Sequence, residues 1–480
     1  MDTCLVTTTI PYVNARPHVG FALELVQADV IARWHRLKGD DIFFLTGTDE
    51  NAIKNVLVAR DQGLTPRELC DLNAGFFEDL LRRLNISTDA FIRTSSEEHH
   101  RGARKFWRAC AVDIVTERYR GLYCVGCEDF ILERNLLDGT CPIHLKAPEG
   151  VEEENYFFKL SRFQDIVQGT IESSAYHIGP ATRRAETIAF LRRGLHDFSN
   201  SRPIGRSDGW GVRVPGDDSQ TVYVWFDALT NYLNGIGYPD DSDLFAKFWQ
   251  NADRIIHVIG KDVLKFHALY WPAMLSSAGL RLPTDLHVHG FLTVNGQKIS
   301  KSRGNALDPF PILDRYGADA LRYYLLRYVP SGEDSDFSHK RFAEIYESDL
   351  ANGLGNLVSR LEALAVQSDL KRIKSDSLKL NPPEGLEDRK FHLTVDHLWG
   401  RIREINRDIE SKRPWEYIRA GRFDVLRPVI TGWICELLEF SHHISPFLPD
   451  TSAEILSRFS SKTISRGNPL FPRIRETSQT

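Results

Sequence analysis

The sequence predicts an α/β protein: a parallel-sheet domain, interrupted by an insertion and followed by an all-helical domain. Three observations predict it. Strand, helix and strand patterns alternate from Cys4 to Leu45, which makes a βαβ unit and hence a parallel sheet. The same alternation returns between Val222 and Val294. Beyond Tyr346 strand patterns vanish, and apolar residues recur at helical spacing as far as Phe459.

Cys4 to Ile10 is apolar and β-branched and stops at Pro11, as a strand does. Leu23, Val26, Val30, Trp34 and Leu37 follow at spacings of three and four, one face of a helix, with Gly39 as its stop. Ile42 to Leu45 is the second strand. Thr65-Pro66-Arg67-Glu68 is a capping box with proline at the first helical position, so a helix runs on toward Leu84. From Cys110 to Gln220 turn residues, charges and clustered cysteines dominate, which marks an insertion. Val222 to Phe226 then reads as strand and Asp227 to Leu233 as helix. Ile255 to Ile259 is strand, Gly260-Lys261-Asp262 a turn, and Val263 to Ala278 a helix ended by Gly279. Leu286 to Val294 is strand, before the tight turn Asn295-Gly296. The expected segments are 1–109 and 221–297 for the two halves of the sheet domain, 110–220 for the insertion, 298–345 for a loop-bearing connection and 346–480 for the helices.

With 480 residues, 42% of them hydrophobic and 26% charged, a core forms without covalent staples. The net charge of −5 excludes a wholesale polyanion binder, so any nucleic-acid contact is local. No apolar run approaches the ~18 residues of a membrane helix. The start, Met1-Asp2-Thr3-Cys4, shows no basic-then-apolar leader. The seven scattered cysteines do not form a disulfide frame. A cytoplasmic protein is expected.

Three motifs carry chemistry. Pro17-His18-Val19-Gly20 sits where the first strand gives way to a helix, whose N-terminus suits phosphate. Lys298-Ile299-Ser300-Lys301-Ser302 is a cationic loop able to neutralise a departing pyrophosphate. Cys124-Val125-Gly126-Cys127 and Cys141-Pro142-Ile143-His144 are two pairs, each with two intervening residues, and thirteen residues separate them. Three thiolates and an imidazole at this spacing suit a closed, structural zinc.

The first two motifs together resemble the paired signature of class I aminoacyl-tRNA synthetases. Longer stretches narrow the resemblance to the methionyl-tRNA synthetase family. They include Val6 to Ala15, Phe44 to Glu50, Tyr223 to Ala228, Gly260-Lys261-Asp262, Trp271 to Met274 and Lys298 to Asn305. The resemblance implies a Rossmann-type catalytic domain, a zinc-knuckle insertion and an anticodon-binding-like helical bundle. It implies activation of an amino acid, methionine first, as an aminoacyl-adenylate, with ATP, Mg²⁺ and one zinc as cofactors and tRNA as partner. Residue by residue, Ile10, Tyr12, Asp49, Trp225, Ala228, Tyr232, Phe266 and His267 correspond to the amino-acid pocket, with Asp49 on the ammonium. Aromatic walls suit a thioether. His18, Gly20, Phe21, Gly260, Asp262, His289, Gly290, Leu292, Lys298, Ser300 and Lys301 correspond to the ATP site. Among them His18, Lys298 and Lys301 handle the phosphates and Asp262 the ribose hydroxyls. Cys124, Cys127, Cys141 and His144 would hold the zinc. Asn356, Arg360, Pro414 and Trp415 correspond to the anticodon reader, where aromatic and polar side chains suit unstacked bases; a buried core position for Trp415 is the plain alternative. The family's appended dimerisation module is not discernible, so a monomer is expected.

The sequence departs from that family in two places. Phe21 stands where the signature has a second histidine, and Asn51-Ala52 where His-Gly is usual. Phenylalanine cannot hydrogen-bond to ATP, and a lost donor beside developing charge costs ~10²–10³ in rate. These departures open an alternative. A repurposed relative would pass its activated amino acid to a hydroxylamine-bearing small molecule, on the way to a hydrazine. Asn356, Arg360 and Trp415 weigh toward tRNA.

Overall fold

The structure is a computed structural model. It describes residues 1–124, 129–131, 133–142, 145–294, 297–298, 307–370, 383–461 and 463–474. The chain divides into two compact units. The first comprises residues 1–17, 35–81 and 87–289; the second comprises 18–34, 82–86 and 290–480.

The first unit is built on a six-stranded parallel sheet. Its strands are β1 (Thr3–Thr8), β2 (Asp41–Thr48), β3 (Ala90–Arg93), β4 (His177–Gly179), β5 (Arg254–Gly260) and β6 (Asp285–His289), in the spatial order β3-β2-β1-β5-β6-β4. β1 pairs with β5 in the register Cys4 to Arg254 and with β2 in the register Thr3 to Asp41. β1, β5 and β6 are buried along nearly their whole length, as central strands covered on both faces must be. Gly39 ends the first helix with φ +88°, a backbone that glycine adopts without strain. At the helix Pro66–Arg83, the Thr65 amide donates to Glu68 Oε2 at 2.8 Å and the Glu68 amide to Thr65 Oγ1 at 3.2 Å, the expected capping box.

The insertion is more regular than its composition implies. Ile114–Cys124 and Glu149–Phe158 form a long antiparallel pair. Arg118 faces Glu154 and Arg120 faces Glu152 across it. Charged residues fill the exposed face of the ribbon, so its strands are hard to read in sequence. The chain then returns to the main sheet, where β4 supplies the edge strand beside β6. Of the proposed knuckle, Cys124 and Cys141 are buried, while Cys127 and His144 lie outside the described residues. Among the described residues no group of three or more metal-type side chains assembles.

Two readings need correction. The apolar run at Val222 is not a strand through Phe226: a strand covers Asp217–Val222, and Val224–Leu229 is a helix. That helix is buried nearly all round, so it lacks the polar face that marks helical periodicity. Leu286 to Val294 is not one strand either. β6 ends at His289, and Leu292–Val294 pairs in a separate sheet with Gln297–Lys298 and Ser335–Phe337.

The second unit contains α1 (Val19–Lys38) through Trp34, that small sheet and the helices beyond it. These helices include Ala318–Arg327, Asn356–Gln367, Phe391–Lys412, Pro414–Arg419, Phe423–Ile444 and Pro449–Ser460. At its centre Arg322, fully buried, pairs with Asp29 of α1 at 2.7 Å and donates to the carbonyls of Phe447 and Pro446 at 2.7 and 2.9 Å. No helix among the described residues is long and apolar enough to cross a membrane.

Candidate active site

The strand order sets the site. β1 continues toward β2 on one side, while β5 continues toward β6 on the other. Between the C-terminal ends of β1 and β5 lies the switch point, where parallel α/β sheets bind nucleotides. Ile10 and Tyr12 follow β1, Asp49 follows β2, Gly260 closes β5 and His289 closes β6. A Cβ on Gly260 would stand 2.8 Å from Asp262 Oδ1 and 3.6 Å from His289 Cε1, so the missing side chain lets both groups close over the strand end.

The amino-acid pocket candidates assemble within the first unit. The Asp49 amide donates to the Pro11 carbonyl at 2.9 Å, and Tyr12 and Asp49 form an isolated bridge. Trp225 and Phe266 stack face to face, with centroids 3.8 Å apart and planes 2° from parallel. That spacing is full van der Waals contact, so no side chain passes between them. Both rings are half-buried rather than core. Tyr232 donates to His267 Nε2 at 2.7 Å. Burial pushes the His267 imidazole down to about 4, so it is neutral at neutral pH. Ala228 is buried on the same helix as Trp225. Phe266 and His267 lie in a π-helical segment, Phe266–Tyr270, inside the helical stretch that follows β5. The extra residue per turn re-aims these side chains, a device frequent at functional sites.

The second unit holds the remaining candidates. His18 precedes α1, and a Cβ on Gly20 would lie 2.8 Å from His18 Cε1, so glycine lets the imidazole fold over the first turn. Phe21 is buried. Gly290 passes so close to the Glu333 carbonyl that a Cβ would meet it at 2.1 Å. Leu292 is buried in its short strand, and the Lys298 backbone pairs with Thr293. Ser300 and Lys301 lie outside the described residues. Asn356 is exposed at the start of its helix. Arg360, one turn on, pairs with Glu410 at 2.7 Å. Pro414 opens the next helix and is buried, whereas Trp415 is 38% exposed and is not a core residue.

Sequence reasoning missed the groups that brace the pocket. His257 receives a hydrogen bond from Trp271 Nε1 at 3.2 Å and meets Thr7 Oγ1 at 2.7 Å. Tyr176 donates to the His267 carbonyl at 3.2 Å. Asn51 and His99 hold Asp227 between them. Thr7, Trp271 and Asp227 lie in stretches the resemblance singles out, and Asn51 is one of its departures; nothing in local spacing marks His257, Tyr176 or His99.

Residues 4–152 and 135–362 match the family profile described as tRNA synthetases class I (M). A methionine–tRNA ligase of Brucella suis is 40% identical over 94% of this chain and 90% of its own length. One of Thermosynechococcus vestitus is 39% identical over 94% and 88%. The chain belongs to the methionyl-tRNA synthetase family. A solved methionyl-tRNA synthetase of Mycobacterium tuberculosis, in complex with methionyl-adenylate, matches with a TM-score of 0.89 at 35% identity, covering 98% of this chain and 100% of that one. This methionyl-tRNA synthetase family member has the switch point of a parallel α/β sheet between β1 and β5. Both ligases carry tRNA in their names, so neither lends support to a small-molecule acceptor.

Proposed function

We infer that this chain activates methionine with ATP, releasing pyrophosphate, and transfers the methionyl group to tRNA. The observation that supports this best is a carboxylate, Asp49, bridged to Tyr12 at the sheet's C-terminal edge, with the Trp225–Phe266 stack and the Tyr232–His267 pair in the same unit. A thioether favours polarizable aromatic surroundings, and an ammonium favours a carboxylate. Neutral His267, fixed by Tyr232, puts no positive charge near the substrate ammonium.

In the first step a methionine carboxylate oxygen attacks the α-phosphorus of ATP in line. The bond to the bridging oxygen breaks, and pyrophosphate leaves. Asp49 orients the amino acid, Asp262 accepts the ribose hydroxyls, and the stretch from His289 to Leu292 edges the adenine. His18, Lys298 and Lys301 neutralise the charge that develops on the leaving group. Mg²⁺ accompanies ATP as its counter-ion. In the second step a terminal ribose hydroxyl of tRNA attacks the methionyl carbonyl, AMP leaves, and the hydroxyl proton passes to solvent. Asn356, Arg360 and Trp415 read the anticodon, Trp415 by stacking. The donor set of Cys124, Cys127, Cys141 and His144 fits zinc as a structural tie for the insertion. The enzyme works as a cytoplasmic monomer, with the segment boundaries given above.

Charging of methionine tRNA by purified protein, beside pyrophosphate exchange over a panel of amino acids, tests this. Charging supports the whole reading. Exchange without charging overturns the tRNA step, and exchange with another amino acid overturns methionine. Lys301→Ala should slow exchange by ~10²–10³; an unchanged rate overturns the catalytic-loop assignment. Trp415→Ala should abolish charging and spare exchange. Metal analysis should find about one zinc per chain.

A further inference from the structure

The turn Asp49-Glu50-Asn51 and the helix Val224–Leu229 come from distant parts of the chain, and one side chain ties them together. Asn51 Nδ2 donates to the Thr94 carbonyl at 2.9 Å and to Asp227 Oδ2 at 2.7 Å. Both partners only accept, so the amide can face them in one orientation alone. The other Asp227 oxygen meets His99 Nε2 at 2.7 Å. Asn234 Nδ2 reaches the His99 carbonyl at 3.3 Å and His99 Nδ1 at 3.2 Å. His99 Nε2 is thereby directed at Asp227. Asp227, 1% exposed, therefore has a partner on each oxygen. The Asn51 amide also donates to Asp49 Oδ1 at 3.3 Å.

Asn51 thus touches the ammonium-binding carboxylate through its backbone and the helix of Trp225 through its side chain. Asp227 lies two residues after Trp225. We propose that Asn51 is a positioning residue for amino-acid binding. It sets the distance between Asp49 and the Trp225 wall by bridging Thr94 and Asp227. The departure at this position keeps the bridge: an amide supplies an N–H donor where the family usually has an imidazole. The proposal rests on methionine being the amino acid activated.

The test is pyrophosphate exchange with methionine by the full chain, wild type against Asn51→Ala, Asn51→Asp and Asn51→His. Alanine and aspartate remove the donors, and aspartate also opposes the Asp227 carboxylate. Both should raise the methionine KM about 10- to 100-fold, with kcat and the ATP KM within about twofold of wild type. Histidine keeps an N–H for Asp227 and should restore the methionine KM to within about threefold. If Asn51→Ala does not fold, aspartate against histidine decides, since both fill the position and one lacks the donor. A wild-type methionine KM in the alanine and aspartate variants overturns the proposal. So does a joint rise of both KM values that histidine does not rescue, which is the mark of a merely structural role. Wild-type protein that shows no exchange with methionine overturns the substrate reading instead, and this proposal with it.

Discussion

The Tyr232 hydroxyl donates to His267 Nε2 at 2.7 Å because His267 Nδ1 is committed to the Val263 carbonyl at 3.0 Å. A carbonyl only accepts, so the hydrogen is on Nδ1 and the lone pair on Nε2. The same logic runs one layer deeper. Trp271 donates to His257 Nε2, which leaves His257 Nδ1 to donate to Thr7 Oγ1 in β1. Burial, with His267 beside it, holds His257 well below its ordinary value. Two neutral histidines thus lie between the central strand and Tyr232.

Tyr232→Phe should weaken methionine binding. It leaves a buried acceptor on His267 without its donor, at a cost of about 1–3 kcal/mol. Exchange kinetics should show a methionine KM raised about tenfold or more, with the ATP KM unchanged.

Stability should fall on mild acidification. His267 titrates near 4 when folded and near 6.5 when unfolded. Between those values the unfolded chain binds more protons, so its contribution, of order 3 kcal/mol, is full above about 6.5 and lost as pH falls to about 4. His257 acts in the same direction. Replacing His267 with glutamine should flatten the fall in melting temperature between pH 6.5 and 4, measured by circular dichroism.

Arg322→Ala should destabilise the second unit strongly. It takes the buried cation from Asp29, leaving it Arg33, and frees the carbonyls of Phe447, Pro446 and Leu84. Breaking one side of a buried pair costs about 3–5 kcal/mol. Calorimetry should show the loss in the transition that unfolds the helices. An unchanged thermogram would mean that Arg33 suffices for Asp29.

Phe21→His should not raise the exchange rate. The phenylalanine is buried, and an imidazole there would need a partner. Equal or slower exchange is expected; a clear gain would place this side chain at the phosphates after all.

The sequence alone determined the features that depend on neighbours along the chain. The capping box at Thr65 and Glu68 and the first helix with its glycine stop formed as read, and the strand read at Ile255 to Ile259 formed with one more residue at each end. So did the helical character beyond Tyr346. Each rests on spacing within a few residues, where side-chain period and backbone propensity act. The candidate site was legible as a set of residue types, carried by motif resemblance. Its arrangement was not. Tertiary structure decided that Val224–Leu229 is a helix, because burial on all sides erased its polar face. It decided that Phe266 and His267 sit in a π-helical segment. It alone brought Asn51 to Asp227, 176 residues away, and His99 to Asp227, 128 residues away. Such pairs form only when folding removes water from both groups, so that each buried polar atom must find its partner inside the protein.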